Sequence, residues 1–145
     1  MVQTIADEMS QLDAANKDFY QENAKNYIAE LEALDQDIHS RLDGYENKKF
    51  IAFHPAFGYF ADDYDLEMYS LEEDGKEATS QRLKEMVDLA KKENIKAIFY
   101  QAEISNKQAE AFAEEIGGKT IELSPLSPDY INNLKSMVDL MTEVM

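Results

Sequence analysis

The sequence predicts an α/β fold: a four-stranded, mostly parallel sheet with flanking helices, preceded by one long helix. Through the first third of the chain, apolar residues recur at three- and four-residue steps, a spacing typical of helix. After Gly44, short β-rich runs alternate with amphipathic segments about 10 to 15 residues long, which is typical of strands joined by helices. Such crossovers are right-handed and make the connected strands parallel.

The first third is predicted to be helical almost throughout. Ile5, Met9 and Leu12 form a short amphipathic stretch. Asp13 is expected to cap a second helix, because its side-chain oxygen can accept a hydrogen bond from a backbone N–H. No glycine or proline interrupts this second helix, which is predicted over residues 14–43 and ends at a glycine. At 1.5 Å per residue it would be roughly 45 Å long, so it is either a packed helix or one that reaches beyond its own domain.

Strands and helices alternate after residue 44. Strands are expected at residues 49–54, 66–71, 96–101 and 119–123, and helices at residues 56–64, 80–93, 106–116 and 129–145. Gly117 and Gly118 are expected to stop a helix before the last strand, and Pro128 to lie in the first turn of the last helix. The chain therefore divides into an N-terminal helical segment, residues 1–44, and an α/β lobe, residues 45–145.

Length and composition narrow the function classes. A chain of 145 residues suffices for a core that buries roughly 70% of the unfolded surface. Acidic residues number 30 against 14 basic ones, and the net charge of −16 argues against nucleic acid and anionic membranes as partners. The lack of cysteine excludes disulfides, thiolate metal sites and cysteine nucleophiles. No apolar run approaches the roughly 18 residues of a membrane span, and we expect no signal peptide in this chain.

The carboxyl ends of the strands define the candidate site, because ligands bind at that edge of an open α/β sheet. The candidate residues at this edge are His54, Gln101, Glu103 and Ser124. His54 stands out, since a neutral imidazole is the commonest protein ligand for a transition metal. Zinc needs about four ligands, however, and the other histidine, His39, is expected to face solvent on the long helix. His54 is therefore either one ligand of an incomplete site or a residue whose ring bonds a backbone carbonyl in a turn.

The sequence lacks the motifs of serine hydrolases and of nucleotide-binding enzymes. There is no G-x-S-x-G elbow for a nucleophilic serine and no glycine-rich phosphate cradle after the first strand. A small hydrolase or nucleotide enzyme is therefore disfavoured, and a non-enzymatic role is predicted. Phe57, Tyr59 and Phe60 sit at helical spacing and are expected in the core.

Longer segments resemble a known family. Residues 53–61 with 64–67 resemble the segment "H-x-A-F-x-Y-F…Y-x-L" of the substrate-binding proteins of zinc and manganese ABC importers. Further similar segments, in the same order, are the family's linking-helix start at residues 12–34, its "E-P-S…L" helix start at 78–83, its "K-x-I-F-x-E-P-x-x-S-x-K" turn at 96–107 and its "L-D-P-L" at 123–126. Together they cover essentially the whole chain.

The resemblance implies two α/β lobes joined by a rigid helix, with the metal held between them. This chain would be the linking helix plus the C-terminal lobe, and a missing N-terminal lobe would supply two histidines. His54 matches the histidine that the C-terminal lobe contributes in zinc-type members. Ser124 stands where many members have a ligating aspartate, and Gln101 with Ala102 stands where the family has Glu-Pro. The site for Zn²⁺ (or Mn²⁺) is thus expected to be incomplete in this chain alone.

The implied function is extracytoplasmic capture of a divalent metal ion for an ABC permease. The alternative is a metal-independent interaction module that associates through its long N-terminal helix. Without the partner lobe, part of the apolar face of the N-terminal helices would be exposed to water. A contiguous exposed apolar patch marks an interaction surface. The residues concerned are Ile5, Met9, Leu12, Phe19 and Tyr20. We therefore expect a homodimer through the N-terminal helices, since two-fold dimers are the commonest closed assemblies.

Overall fold

The computed structural model describes residues 1–72, 75–101 and 107–145. The chain divides into two compact units, Met1–Ser40 and Arg41–Met145. Across the described ranges, none of the helices combines the length and the apolar character that a membrane crossing requires.

The first unit is a helical hairpin. Helix α1 (Val2–Leu12) leads through a 3-10 turn (Ala14–Asn16) into α2 (Lys17–Leu42). The two helices are tied by polar side chains, since the amide of Gln21 donates to Asp7 at 3.0 Å and to Ser10 at 3.1 Å.

The long helix was predicted to start at residue 14, and the structure corrects that start. The carboxylate of Asp13 accepts from the Asn16 amide at 2.7 Å and from the Tyr20 hydroxyl at 2.9 Å. Asp13 is the N-cap residue of a 3-10 turn, Ala14–Asn16, and not of the long α-helix. The first turn is therefore 3-10, and the α-helix begins at Lys17.

The second unit contains the predicted four-stranded sheet, which is parallel throughout. Its strands are β1 (Lys49–Ala52), β2 (Glu67–Ser70), β3 (Ala97–Gln101) and β4 (Lys119–Leu123), in the order β2-β1-β3-β4. Because β1 and β3 occupy the middle, the chain leaves β1 toward one side of the sheet and later continues on the other. This reversal of strand order places a crevice at the carboxyl ends of the central strands.

Helices connect the strands as predicted, with small shifts at their ends. They are α3 (Gly58–Asp63), α4 (Ser80–Lys92), α5 (Lys107–Ile116) and α6 (Tyr130–Thr142). The prediction that Pro128 lies in the first turn of α6 is wrong. Asp129 has ψ of 71°, which is not helical, and it forms the N-cap, so Pro128 precedes the helix.

The core lies on both faces of the sheet. Successive side chains of a strand point to opposite faces. Ile51 and Ile98 are fully buried in a cluster with side chains of α4 and α5, including Val87 and Phe112. Phe50 and Phe99, each next to one of these isoleucines in the strand, point to the opposite face of the sheet. They are also buried and pack edge to face with ring centroids 5.8 Å apart. Burial on both faces makes β1 and β3 a rigid base for the residues that follow them.

Candidate metal site

The strand register brings His54 next to Glu72. Each residue lies two positions beyond the end of its strand, and Ala52 is paired with Ser70 in the parallel ladder. The pairing continues past the strand ends, because the Leu71 N–H donates to the Ala52 carbonyl at 3.0 Å and the Glu72 N–H donates to the Phe53 carbonyl at 2.9 Å.

The two side chains are in direct contact. Nδ1 of His54 meets Oε2 of Glu72. The imidazole side chain is 39% exposed and the carboxylate 13% exposed, so the carboxylate is the more buried partner. The ring thus contacts a carboxylate, whereas the turn interpretation expected a backbone carbonyl. With Nδ1 engaged, Nε2 is the ring nitrogen left to bind a ligand, an arrangement that recurs in metal-binding histidines.

The segment that carries Glu72 is anchored on the start of α4. The Ser70 hydroxyl donates to the carbonyl of Glu72 at 3.0 Å, and the Arg82 guanidinium donates to the carbonyl of Ser70 at 2.9 Å. Arg82 itself lies in the first turn of α4, where its backbone N–H donates to the Thr79 side chain at 3.2 Å. Helix α4 therefore fixes the backbone of the segment that carries the Glu72 carboxylate.

The other predicted site residues lie along the same edge. Gln101 is the last residue of β3, and Ser124 directly follows β4, where its carbonyl accepts from the Asn133 amide at 2.7 Å. Ser124 follows β4 and His54 follows β1, and β3 lies between these two strands. The two strands are therefore two inter-strand spacings, or roughly 10 Å, apart. Glu103 lies outside the described residues.

The described residues do not form a complete metal centre by themselves. Within them, no group of three or more His, Asp or Glu side chains is arranged to hold a metal ion. His54 and Glu72 make a pair, whereas zinc takes about four ligands. The pair can supply one imidazole nitrogen and a nearby negative charge, which favours a cation as the ligand.

The surface around the edge is more aromatic than expected. Phe57 is buried, but Tyr59 is 90% exposed, so the prediction of a core position for Tyr59 is wrong. Helix α3 has only six residues, and its inward face is taken by Phe57 and Ala61, which lie one helical turn apart. Leu126 and Tyr130, beyond β4, are also exposed.

Glu72 is not among the four residues that the sequence selected at this edge. The available signal was that His54 ends the predicted strand 49–54 and Glu72 directly follows the predicted strand 66–71. Using it requires the pairing of β1 with β2, which periodicity alone does not provide.

Comparison with known families places the whole chain in one of them. The sequence profile described as "Zinc-uptake complex component A periplasmic" (ZnuA) matches residues 1–144. The chain is 35% identical over 127 residues to the high-affinity zinc uptake system protein ZnuA of Bacillus subtilis, covering 86% of this chain and 40% of that protein. It is 32% identical over 144 residues to the zinc-binding protein AdcA of Streptococcus pyogenes, covering 98% of this chain and 28% of that protein.

Solved structures show the same likeness. A crystal structure of ZnuA superposes with a TM-score of 0.95 at 39% sequence identity, covering 98% of this chain and 56% of that chain. The chain therefore spans less than half the length of both curated relatives and about half of the solved structure.

Proposed function

Because the chain belongs to the family of the periplasmic zinc-uptake component ZnuA, we propose that it captures zinc for an ABC importer as the C-terminal half of a two-lobed substrate-binding protein. The observation that carries the proposal is the His54 imidazole at the carboxyl edge of the parallel sheet, half-exposed and backed by the Glu72 carboxylate. A capture module needs ligands and no reacting groups, so the proposed role is not enzymatic.

The proposed mechanism is coordination. His54 donates the lone pair of one neutral ring nitrogen to the ion, and a companion lobe supplies most of the remaining ligands. Two facts support the shared site: the described residues hold no three-ligand group, and the chain spans only about half of the solved relative. Zinc is favoured over manganese, because imidazole suits zinc whereas manganese prefers oxygen ligands.

The proposed location is outside the cytoplasm, where the ion would be passed to a membrane permease. The periplasmic description of the family supports this proposal. The net charge of −16 also fits a protein that attracts cations and repels nucleic acid.

Zinc titration by calorimetry tests the proposal. The isolated chain should bind zinc weakly, with a dissociation constant above about 1 μM, because only part of the usual ligand set is present. The His54→Ala variant should lose this binding, and the control His39→Ala, which removes the chain's other imidazole, should keep it. Equal binding by wild type and His54→Ala would contradict the site. Submicromolar binding by a monomer would contradict the shared site.

A second function is favoured by the surface of the helical hairpin. Ile5, Met9, Leu12 and Phe19 are between 40% and 84% exposed, as the sequence predicted, whereas Tyr20 is half-buried. Each large side chain left in water forgoes roughly 1.5–3 kcal/mol of burial when fully exposed. We propose that this face associates with a second copy of the chain as a two-fold dimer.

Sedimentation of a surface variant tests this second proposal. Met9→Lys combined with Leu12→Lys should give a folded monomer, because two charges would enter the apolar face. Gln11→Lys combined with Asn26→Lys introduces the same charge at exposed polar positions of the hairpin and should leave the dimer intact. A wild-type chain that is already monomeric at high micromolar concentration would refute the dimer.

A further inference from the structure

We propose that Glu72 is a positioning residue that holds the His54 ring in the tautomer with the proton on Nδ1, so that Nε2 is the nitrogen that binds the metal. This inference rests on the proposed zinc function for its purpose. The tautomer itself can be measured without any metal.

The backbone fixes Glu72 relative to His54. The hydrogen bonds from Leu71 to Ala52 and from Glu72 to Phe53 extend the parallel ladder to the residue before the histidine. On its other side, the loop before His54 is held by β3, since the Phe53 N–H donates to the Phe99 carbonyl at 2.7 Å. The backbone before His54 is therefore hydrogen-bonded on both sides, to β3 and to the segment that carries Glu72.

The chemistry of the pair selects one tautomer. An ionised carboxylate only accepts hydrogen bonds, so a neutral ring that contacts it through Nδ1 must carry its proton there. Nε2 then holds the free lone pair. In water, free imidazole side chains favour the opposite form, with the proton on Nε2, so an acceptor at Nδ1 is needed to reverse the preference.

Burial makes the contact effective. The Glu72 carboxylate is 13% exposed and the imidazole 39% exposed. The more buried group is thus the support, and the more exposed group is the one that a ligand can reach. The hydrogen bond from Arg82 to the Ser70 carbonyl fixes the backbone two residues before Glu72.

Nitrogen NMR of the histidine rings tests the inference directly. The chain has two histidines, so the His39→Gln variant identifies the signals of His54. At about pH 8.5, where free imidazole is neutral, the metal-free wild type should show His54 mainly in the Nδ1–H form. Glu72→Ala should shift it toward the Nε2–H form. Glu72→Gln should retain Nδ1–H, because the amide oxygen still accepts a hydrogen bond.

Zinc titration in the same spectra adds the functional readout. The zinc affinity, read from the shift of the His54 signals, should be about 10–100-fold lower in Glu72→Ala than in wild type. The affinity of Glu72→Gln should lie between the two. The control Glu77→Ala removes an exposed carboxylate from the segment before α4 and should change neither the tautomer nor the affinity.

The outcomes separate this inference from the proposed function. A wild-type chain with His54 mainly in the Nε2–H form would overturn the inference without any variant. So would a Glu72→Ala variant, folded by its amide spectrum, that keeps the wild-type tautomer and affinity. A tautomer that depends on Glu72 in a chain that does not bind zinc would support the positioning role and refute the zinc function.

Discussion

Replacing Gly118 by alanine should destabilise the protein through a single backbone contact. Gly118 follows Gly117, which has φ of +64° and ends α5 in a left-handed conformation. Gly118 has a different constraint. A Cβ atom at this position would lie 2.3 Å from the carbonyl oxygen of Lys96 and 2.8 Å from its carbonyl carbon.

The magnitude follows from what must move. An ordinary contact at this Cβ would be at 3.4–4 Å, so the Lys96 backbone at the entry to β3 would have to shift by about 1 Å or more. The same carbonyl accepts the Lys119 N–H at 3.0 Å, so the shift also weakens the first hydrogen bond between β3 and β4. Overpacking costs typically 1–3 kcal/mol and a hydrogen bond about 1 kcal/mol, against which alanine gains about 0.4–1 kcal/mol from the unfolded chain. The expected loss is about 1–3 kcal/mol.

Urea unfolding followed by circular dichroism measures this loss. Gly44→Ala is the matched control, because, apart from its chain neighbours, no heavy atom of the described residues lies within 4 Å of the Cβ it would add. Its stability should stay the same or rise by up to about 1 kcal/mol, because only the gain from the unfolded chain applies. If Gly118→Ala and Gly44→Ala unfold at the same urea concentration, the close approach of the Lys96 carbonyl does not require glycine at position 118. A stable Gly118→Ala variant would mean that the β3–β4 pair relaxes without cost.

Two further predictions concern pH and capping. The hydrogen bond from Lys49 lowers the pKa of Glu93, so the stability from this pair is present at neutral pH and is lost as pH falls through the lowered pKa. The urea midpoint of wild type should therefore fall between about pH 5 and pH 3 more steeply than that of Glu93→Gln; parallel pH curves would contradict the pairing. Thr79→Ala removes the acceptor for the first turn of α4 and should cost about 0.5–2 kcal/mol by the same unfolding measurement, whereas Thr79→Ser should retain most of the stability; equal losses in both variants would refute a capping role.

The strand–helix alternation was predictable because it depends on local pattern. The run ending at His54 is apolar enough to be buried, and the helices after residue 78 place apolar side chains at helical spacing. Parallel pairing followed from the connections, since a strand, a helix and a strand in one sheet pack with a right-handed crossover.

The ends of the elements were less predictable, because they depend on individual hydrogen bonds. Asp13 occupies an N-cap position, as its side chain suggested, but the turn that follows it is 3-10 and the α-helix begins only at Lys17. Phe57 and Tyr59 lie two residues apart, on opposite sides of a helix, and the short helix α3 buries only the side that carries Phe57. Each residue is compatible with two local arrangements, and the surrounding contacts select one.

The sequence by itself determined the fold class, the acidic and cysteine-free character of the chain, and the delivery of His54 to the end of the first strand. These depend on composition and on periodicities that a single segment carries. Only the tertiary structure decided that Glu72 contacts His54 and that Gly118 must lack a side chain. Both depend on the register of strands that are distant in sequence, and register arises when the whole sheet packs. No segment encodes it alone.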